Sequence, residues 1–245
     1  CYSFAKSEPN VEYPYFNQKD VYSSKDKIAY LTFDDGPNPE YTMKLLEGLK
    51  KRGVKATFFV LGEEVERYPD ILKAAYDDGH LIGVHSYQHV NFGQIGDAAA
   101  LEQVEKTRQA IYDVTGEYTG YIRPSYGCWK KELDQELPMI EVLWDIDPLD
   151  WATKDADTVV QRVLQKCPDG SIILLHDASE SSVCAAFTII DTLQKQGYEF
   201  VTVEELMQMA AGEQCSREEL CHLLSQVGLD MAVHVAPVPF QGVGP

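Results

Sequence analysis

The chain has 245 residues, 44% hydrophobic and 24% charged, the balance of a soluble globular domain long enough to bury an ample core. A formal net charge of −18 argues against nucleic acid as a partner, because phosphate contacts need basic patches. No apolar run approaches the roughly 18 to 20 residues that span a bilayer.

Residues 1–26, "CYSFAKSEPNVEYPYFNQKDVYSSKD", are polar and tyrosine-rich without a lasting period and read as a tether or a strap. A regular pattern begins at Lys27. "KIAYLTF" reads as a buried strand, "PEYTMKLLEGLKKRG" as an amphipathic helix closed by Gly53, and "KATFFVLG" as a second strand. "YPDILKAAYDDGH" has Pro69 near its start and Gly79 past its end, the punctuation of a helix, and "LIGVH" follows as a strand. The longest helix is "DAAALEQVEKTRQAIYDVTG", with Leu101, Val104, Ile111 and Val114 on its apolar face. Then come strands "YTGYIR" and "MIEVLWDI", the helix "DADTVVQRVLQKCPDG" and the strand "SIILLHD". A helix around "AAFTIIDTLQKQG", a strand "YEFVTV" and a helix "EELMQMAAG" complete the regular part.

Strands alternating with helices of this length imply βα units on a parallel sheet, and about seven of them would nearly close a barrel. The expected organisation is an extension over 1–26, one α/β domain over 27–211 and a helical tail over 212–245. The six cysteines, at 1, 128, 167, 184, 215 and 221, form no CxxC pair, which argues against a cysteine-rich zinc module. Cys1 has the form of a lipidated lipoprotein terminus, giving an expected membrane tether. His80 reads as structural, and no metal role is expected of His222 and His234 in the tail.

In parallel α/β folds, ligand sites gather at the C-terminal ends of the strands. Five inferred strand ends carry polar residues: Asp34 and Asp35 in "DDGP", His85 in "HSYQH", Arg123 in "RPSYG", Asp147 and Asp150 in "DPLDW", and His176 with Asp177 in "HD". Each has an ordinary structural reading as a turn, a cap or a surface ion pair. Their coincidence on one rim favours a site. His85 and His89, four apart, would be neighbours on a helical turn and could face one ion. One carboxylate of the Asp34–Asp35 pair can supply a third ligand, relieving the repulsion between them and leaving the other as a base. His176, on a separate strand, suits an acid on the far side of a reacting group. These are the parts of metal-assisted hydrolysis.

With those segments together, residues 27–207 resemble the NodB-homology polysaccharide deacetylases, carbohydrate esterase family 4. "TFDDGP" and "HSYQH" match the first two family motifs in full; "DPLDW" matches DxxDW, and "ILLHD" supplies the leucine two before a histidine. The third motif, usually RPPYG, reads "RPSYG", and Ser125 in place of proline is expected to loosen the backbone before Tyr126. The resemblance implies a distorted (β/α)7 barrel as a single catalytic domain with short extensions. It further implies Asp34 as general base and Asp35, His85 and His89 as ligands of a divalent metal, Zn²⁺ before Co²⁺, Ni²⁺ or Mn²⁺. By the same resemblance Arg123 orients the base, the Tyr126 amide binds the oxyanion, and Trp151 with Leu174 lines the acetyl pocket. His176 is the acid, paired with an aspartate of "DPLDW", Asp150 being preferred to Asp147. The implied reaction is N-deacetylation of N-acetylglucosamine in peptidoglycan or a chitin-like glycan, outside the cytoplasm, by a secreted or lipid-anchored monomer. The alternatives are an O-acetyl esterase on xylan or another acetylated polysaccharide, and a silent carbohydrate-binding module.

Overall fold

The structure is a computed structural model that describes residues 27–134, 136–137 and 139–205. The expected strap, the tail, most of "EELMQMAAG", and Cys1, Cys215, Cys221, His222 and His234 lie outside the described residues.

Seven parallel strands form one curled sheet: β1 (Lys27–Asp34), β2 (Thr57–Leu61), β3 (Leu81–Ser86), β4 (Tyr121–Ile122), β5 (Ile140–Glu141), β6 (Ser171–His176) and β7 (Tyr198–Phe200). They run in the order β5-β4-β3-β2-β1-β6, with β7 beside the first three residues of β1. The connecting helices are α1 (Thr42–Arg52), α2 (Gly62–Arg67), α3 (Pro69–Asp77), α4 (Asp97–Thr115), α5 (Ala156–Leu164) and α6 (Glu180–Lys195). The distorted (β/α) barrel and its parallel order agree with the sequence reading. The short helix α2 was not anticipated, because "GEEVER" is too short to display a period.

The strands expected over "YTGYIR" and "MIEVLWDI" shrink to two ladder residues each. Segment 140–146 changes partner along its length. Ile140 and Glu141 pair with β4, whereas Ile146 bridges to Ile173 of β6. At the crossover the Asp145 carboxylate, rather than a carbonyl, accepts the Ile172 N–H at 2.7 Å. This segment therefore joins the two edges and draws the sheet into a barrel.

Alternate residues of each strand face opposite sides of a sheet. On β1, Ala29, Leu31 and Phe33 pack in the larger apolar cluster with helix residues such as Leu45, Leu49 and Ile189. Ile28 and Tyr30 pack in a second cluster with Phe59, Leu81, Tyr121 and Ile172, which is the barrel interior. Continuing that interior face upward gives Thr32 and Asp34 on β1, Leu174 and His176 on β6, Gly83 and His85 on β3, and Arg123 just beyond β4. The interior thus changes from apolar floor to polar rim within two residues per strand. Gly83 permits this layering, since a Cβ there would lie 2.6 Å from the Phe59 ring.

Candidate active site and metal centre

Arg123 stands at the centre of the rim and is wholly buried. Its Nη1 donates to the Asp34 carboxylate at 2.8 Å and to the Thr32 hydroxyl at 2.7 Å. Its Nε and Nη2 donate to the carbonyls of Val142 and Leu143, both at 2.9 Å. The guanidinium lies over the ring of Phe59, 4.4 Å from its centroid. Four hydrogen bonds and a ring face fix its plane, so Asp34, 2% exposed, is held in one orientation. Removing the guanidinium would strand a buried carboxylate and two carbonyls. Arg123→Ala is therefore expected to lose about 3 to 5 kcal/mol of stability, the usual consequence of breaking a buried ion pair from one side. Urea unfolding measures it; an unchanged midpoint would mean that Asp34 finds another partner.

Asp35 follows Asp34 with φ of 76°, a left-handed backbone that turns its side chain back over the rim. One of its oxygens, Oδ1, lies 3.4 Å from Nε2 of His85 and 3.3 Å from Nε2 of His89. His85 reaches this point from β3, but His89 does so from a loop, with φ of 53°. The helical-turn reading of "HSYQH" is thus wrong in its geometry. A strand end followed by a tight loop, rather than one helix turn, brings the two rings to 5.2 Å.

The donor set fits a cation. Nδ1 of His85 lies 2.7 Å from the Arg123 carbonyl, which can only accept, so Nδ1 carries the proton and Nε2 presents a lone pair. Burial keeps the His85 pKa below its ordinary value despite the nearby charges of Asp34 and Asp35. Asp35 Oδ1 is buried and has no hydrogen-bond partner among the described residues. Lone pairs from Asp35, His85 and His89 therefore converge within 4.8 Å of one another. This is the two-nitrogen, one-oxygen set of an open catalytic metal site.

Asp34 and His176 are register partners across β1 and β6, which places His176 on the other flank of the rim. Its Nδ1 lies 2.8 Å from the Asp150 carboxylate, whose second oxygen accepts the His176 backbone N–H at 2.9 Å. Burial alone would depress the imidazole's pKa. The hydrogen bond and charge of Asp150, helped by Asp34 and Asp35, outweigh it and raise the value to about 9. Asp147, the other aspartate of "DPLDW", accepts the Leu149 N–H at 2.8 Å instead and shapes the loop. Geometry thus pairs Asp150 with His176, the preferred member of the two.

The remaining expected residues surround this pair of flanks. Tyr126, with φ of 62°, is 61% exposed, and its ring meets His89 edge-on at 4.7 Å. Trp151 is 65% exposed, offering its indole to solvent beside the rim. Leu174 is buried yet packs in neither apolar cluster, as its place on the interior face above the floor requires. Ser125 corrects the expectation of a loosened loop. Its buried hydroxyl lies 2.9 Å from that of Ser86 on β3, so a cross-link to the strand carrying His85 stands where proline would have supplied stiffness. Thr32 joins the site as a second acceptor for Arg123, and it lies two residues before Asp34 on the same face of β1.

The family model described as polysaccharide deacetylase matches residues 22–141. The chain is 38% identical over 201 residues to the peptidoglycan-N-acetylmuramic acid deacetylase PdaC of Bacillus subtilis, covering 82% of this chain and 43% of that protein. It is also 38% identical over 192 residues to a peptidoglycan-N-acetylglucosamine deacetylase of Bacillus cereus, covering 76% of this chain and 70% of the relative. The solved structure of PdaC aligns with a TM-score of 0.74 at 38% identity, over 82% of this chain and 98% of that one. The match spans 43% of the length of PdaC itself.

Proposed function

This chain belongs to the polysaccharide deacetylase family, and on that premise we propose that it hydrolyses acetamide groups of N-acetyl sugars in a cell-wall glycan, releasing acetate. The observation that carries the reading is the convergence of Asp35, His85 and His89 between a buried, oriented carboxylate and a protonated histidine. A silent binding module has no use for such a base and acid.

Asp35, His85 and His89 would hold a divalent cation, Zn²⁺ in our reading, which when bound polarises a carbonyl and acidifies water. Asp34, fixed by Arg123, takes the proton of the attacking water. Its second oxygen is 3.9 Å from Nδ1 of His85, so it stands beside the ligand cluster without belonging to it. The backbone N–H of Tyr126 donates to the developing oxyanion, and Leu174 with Trp151 encloses the acetyl methyl. His176, kept protonated by Asp150, gives its Nε2 proton to the departing amine. The free amino sugar and acetate are the products. The glycans in question lie outside the membrane, and an extracytoplasmic enzyme is part of the proposal.

The test is acetate release from peptidoglycan, chitin oligosaccharides and acetylated xylan by chelator-treated protein, with and without added Zn²⁺. The expected result is Zn²⁺-dependent release from an N-acetyl glycan. Release from xylan alone would replace the amide reading with an ester one, and no release from any of them would remove the hydrolase.

A further inference from the structure

Asp177 has no part in the chemistry above, yet it ends β6 directly after His176 and is 1% exposed. One of its oxygens accepts a hydrogen bond from the Thr42 hydroxyl at the start of α1. That hydroxyl in turn accepts the Asn38 N–H at 2.7 Å, and the Asn38 side chain accepts the N–H groups of Glu40 and Tyr41 at 2.9 and 3.1 Å. The carboxyl also lies flat against Gly36, where a Cβ would be 2.4 Å from Oδ2. On its other side the same turn is sewn to β2, through Asp35 N–H to the Phe59 carbonyl at 3.2 Å and Leu61 N–H to the Gly36 carbonyl at 3.0 Å. Asp35 therefore keeps its left-handed backbone between two braces, one of main-chain bonds and one consisting of Asp177. A residue in such a conformation persists only where its surroundings over-determine it.

The form of the second brace is unusual for a carboxylate. Asp177 Oδ1 has no hydrogen-bond partner among the described residues, and Pro37, Phe58, Val60 and Leu72 line the space beside it. Burial, with the charge of Asp35 adding to it, lifts the Asp177 carboxyl to about 7 against the Thr42 hydrogen bond. The group is held by packing and one hydrogen bond rather than by an ion pair.

We propose that Asp177 is a positioning residue, a clamp that fixes the Asp35–Asn38 turn to the end of β6 and so sets the metal ligand Asp35 relative to the acid His176. The inference deepens the deacetylase reading and rests on it for the role of His176. Groups that orient a metal ligand typically change metal affinity or activity by about 10- to 100-fold when removed.

The experiment compares Asp177→Asn, Asp177→Ala and Thr42→Val in the full chain. It measures Zn²⁺ affinity of chelator-stripped protein by competition with a chromophoric chelator, kcat and KM on an N-acetylglucosamine oligosaccharide, and Tm. Asp177→Ala is expected to lose about 10- to 100-fold in Zn²⁺ affinity and in kcat, with KM held. Asp177→Asn, which keeps the shape of the carboxyl and an oxygen to accept from Thr42, is expected to hold both near wild type. Thr42→Val, which leaves Asp177 in place, should weaken Zn²⁺ binding in the same direction and supplies the answer if Asp177→Ala does not fold. Wild-type Zn²⁺ affinity in Asp177→Ala or in Thr42→Val overturns the clamp, as does an Asn variant no better than Ala. A wild-type protein that releases no acetate would defeat the deacetylase reading, while its Zn²⁺ affinities would still decide the clamp.

Discussion

Replacing Asp34 with asparagine is expected to lower kcat by about 10² to 10⁴-fold, the usual contribution of a positioned general base. The amide keeps the shape and still accepts from Arg123, but it cannot take the proton of water. Because Asp34 is not in the converging ligand set, Zn²⁺ content should stay at the wild-type level. KM should change little, since the lost interaction belongs to the transition state and not to substrate binding. Stability should fall as well, because the neutral amide leaves the buried Arg123 guanidinium without its counter-charge. Activity must therefore be compared well below the variant's Tm. Loss of metal from Asp34→Asn would place Asp34 among the ligands, and undiminished turnover would give the base role to another group.

The site's chemistry was legible because it sits where a parallel barrel must put it. Once "KIAYLTF" and "SIILLHD" are read as strands, period-two alternation gives the face that Asp34 and His176 take, whereas the register that pairs them is set by the sheet. What could not be read is the path of the chain between motifs. "HSYQH" satisfies a helical spacing, yet His85 is in a strand, and His89 takes a left-handed backbone that histidine tolerates without requiring it. The shortness of β4 and β5 has a related cause. Segment 140–146 is apolar enough, apart from Glu141 and Asp145, to read as one strand, but it exchanges partners midway, which only the closure of the barrel dictates. Asp147 and Asp150 are chemically equivalent in sequence. They separate only because the loop turns Asp147 toward the Leu149 amide and Asp150 toward His176. Ser125 shows the converse: its own backbone is freer than that of proline, but its hydroxyl is tied to one on a strand far away in sequence.

The two catalytic arms should separate by substrate and by pH. His176→Ala is expected to lose about 10² to 10⁴-fold in kcat/KM on an N-acetyl sugar, where the amine cannot depart without a proton. On an aryl acetate the phenolate leaves unaided, so the same variant should lose far less, whereas Asp34→Asn should damage both substrates alike. The sign of the pH dependence follows from the raised pKa. His176 is an acid while protonated, so activity on the N-acetyl substrate should fall as pH rises through about 9. The aryl ester, which does not use that proton, should show no such limb. Asp150→Asn removes the charge and weakens the hydrogen bond that hold the proton on, and it leaves burial, which acts the other way. The alkaline limb should then move to lower pH on the amide substrate alone. Equal losses on the two substrates for His176→Ala, or an alkaline limb that stays in place in Asp150→Asn, would show that the proton for the leaving amine comes from elsewhere. Both results together would mean that His176 serves the rim's structure and not its chemistry, because a histidine that merely held the fold would affect ester and amide to the same degree.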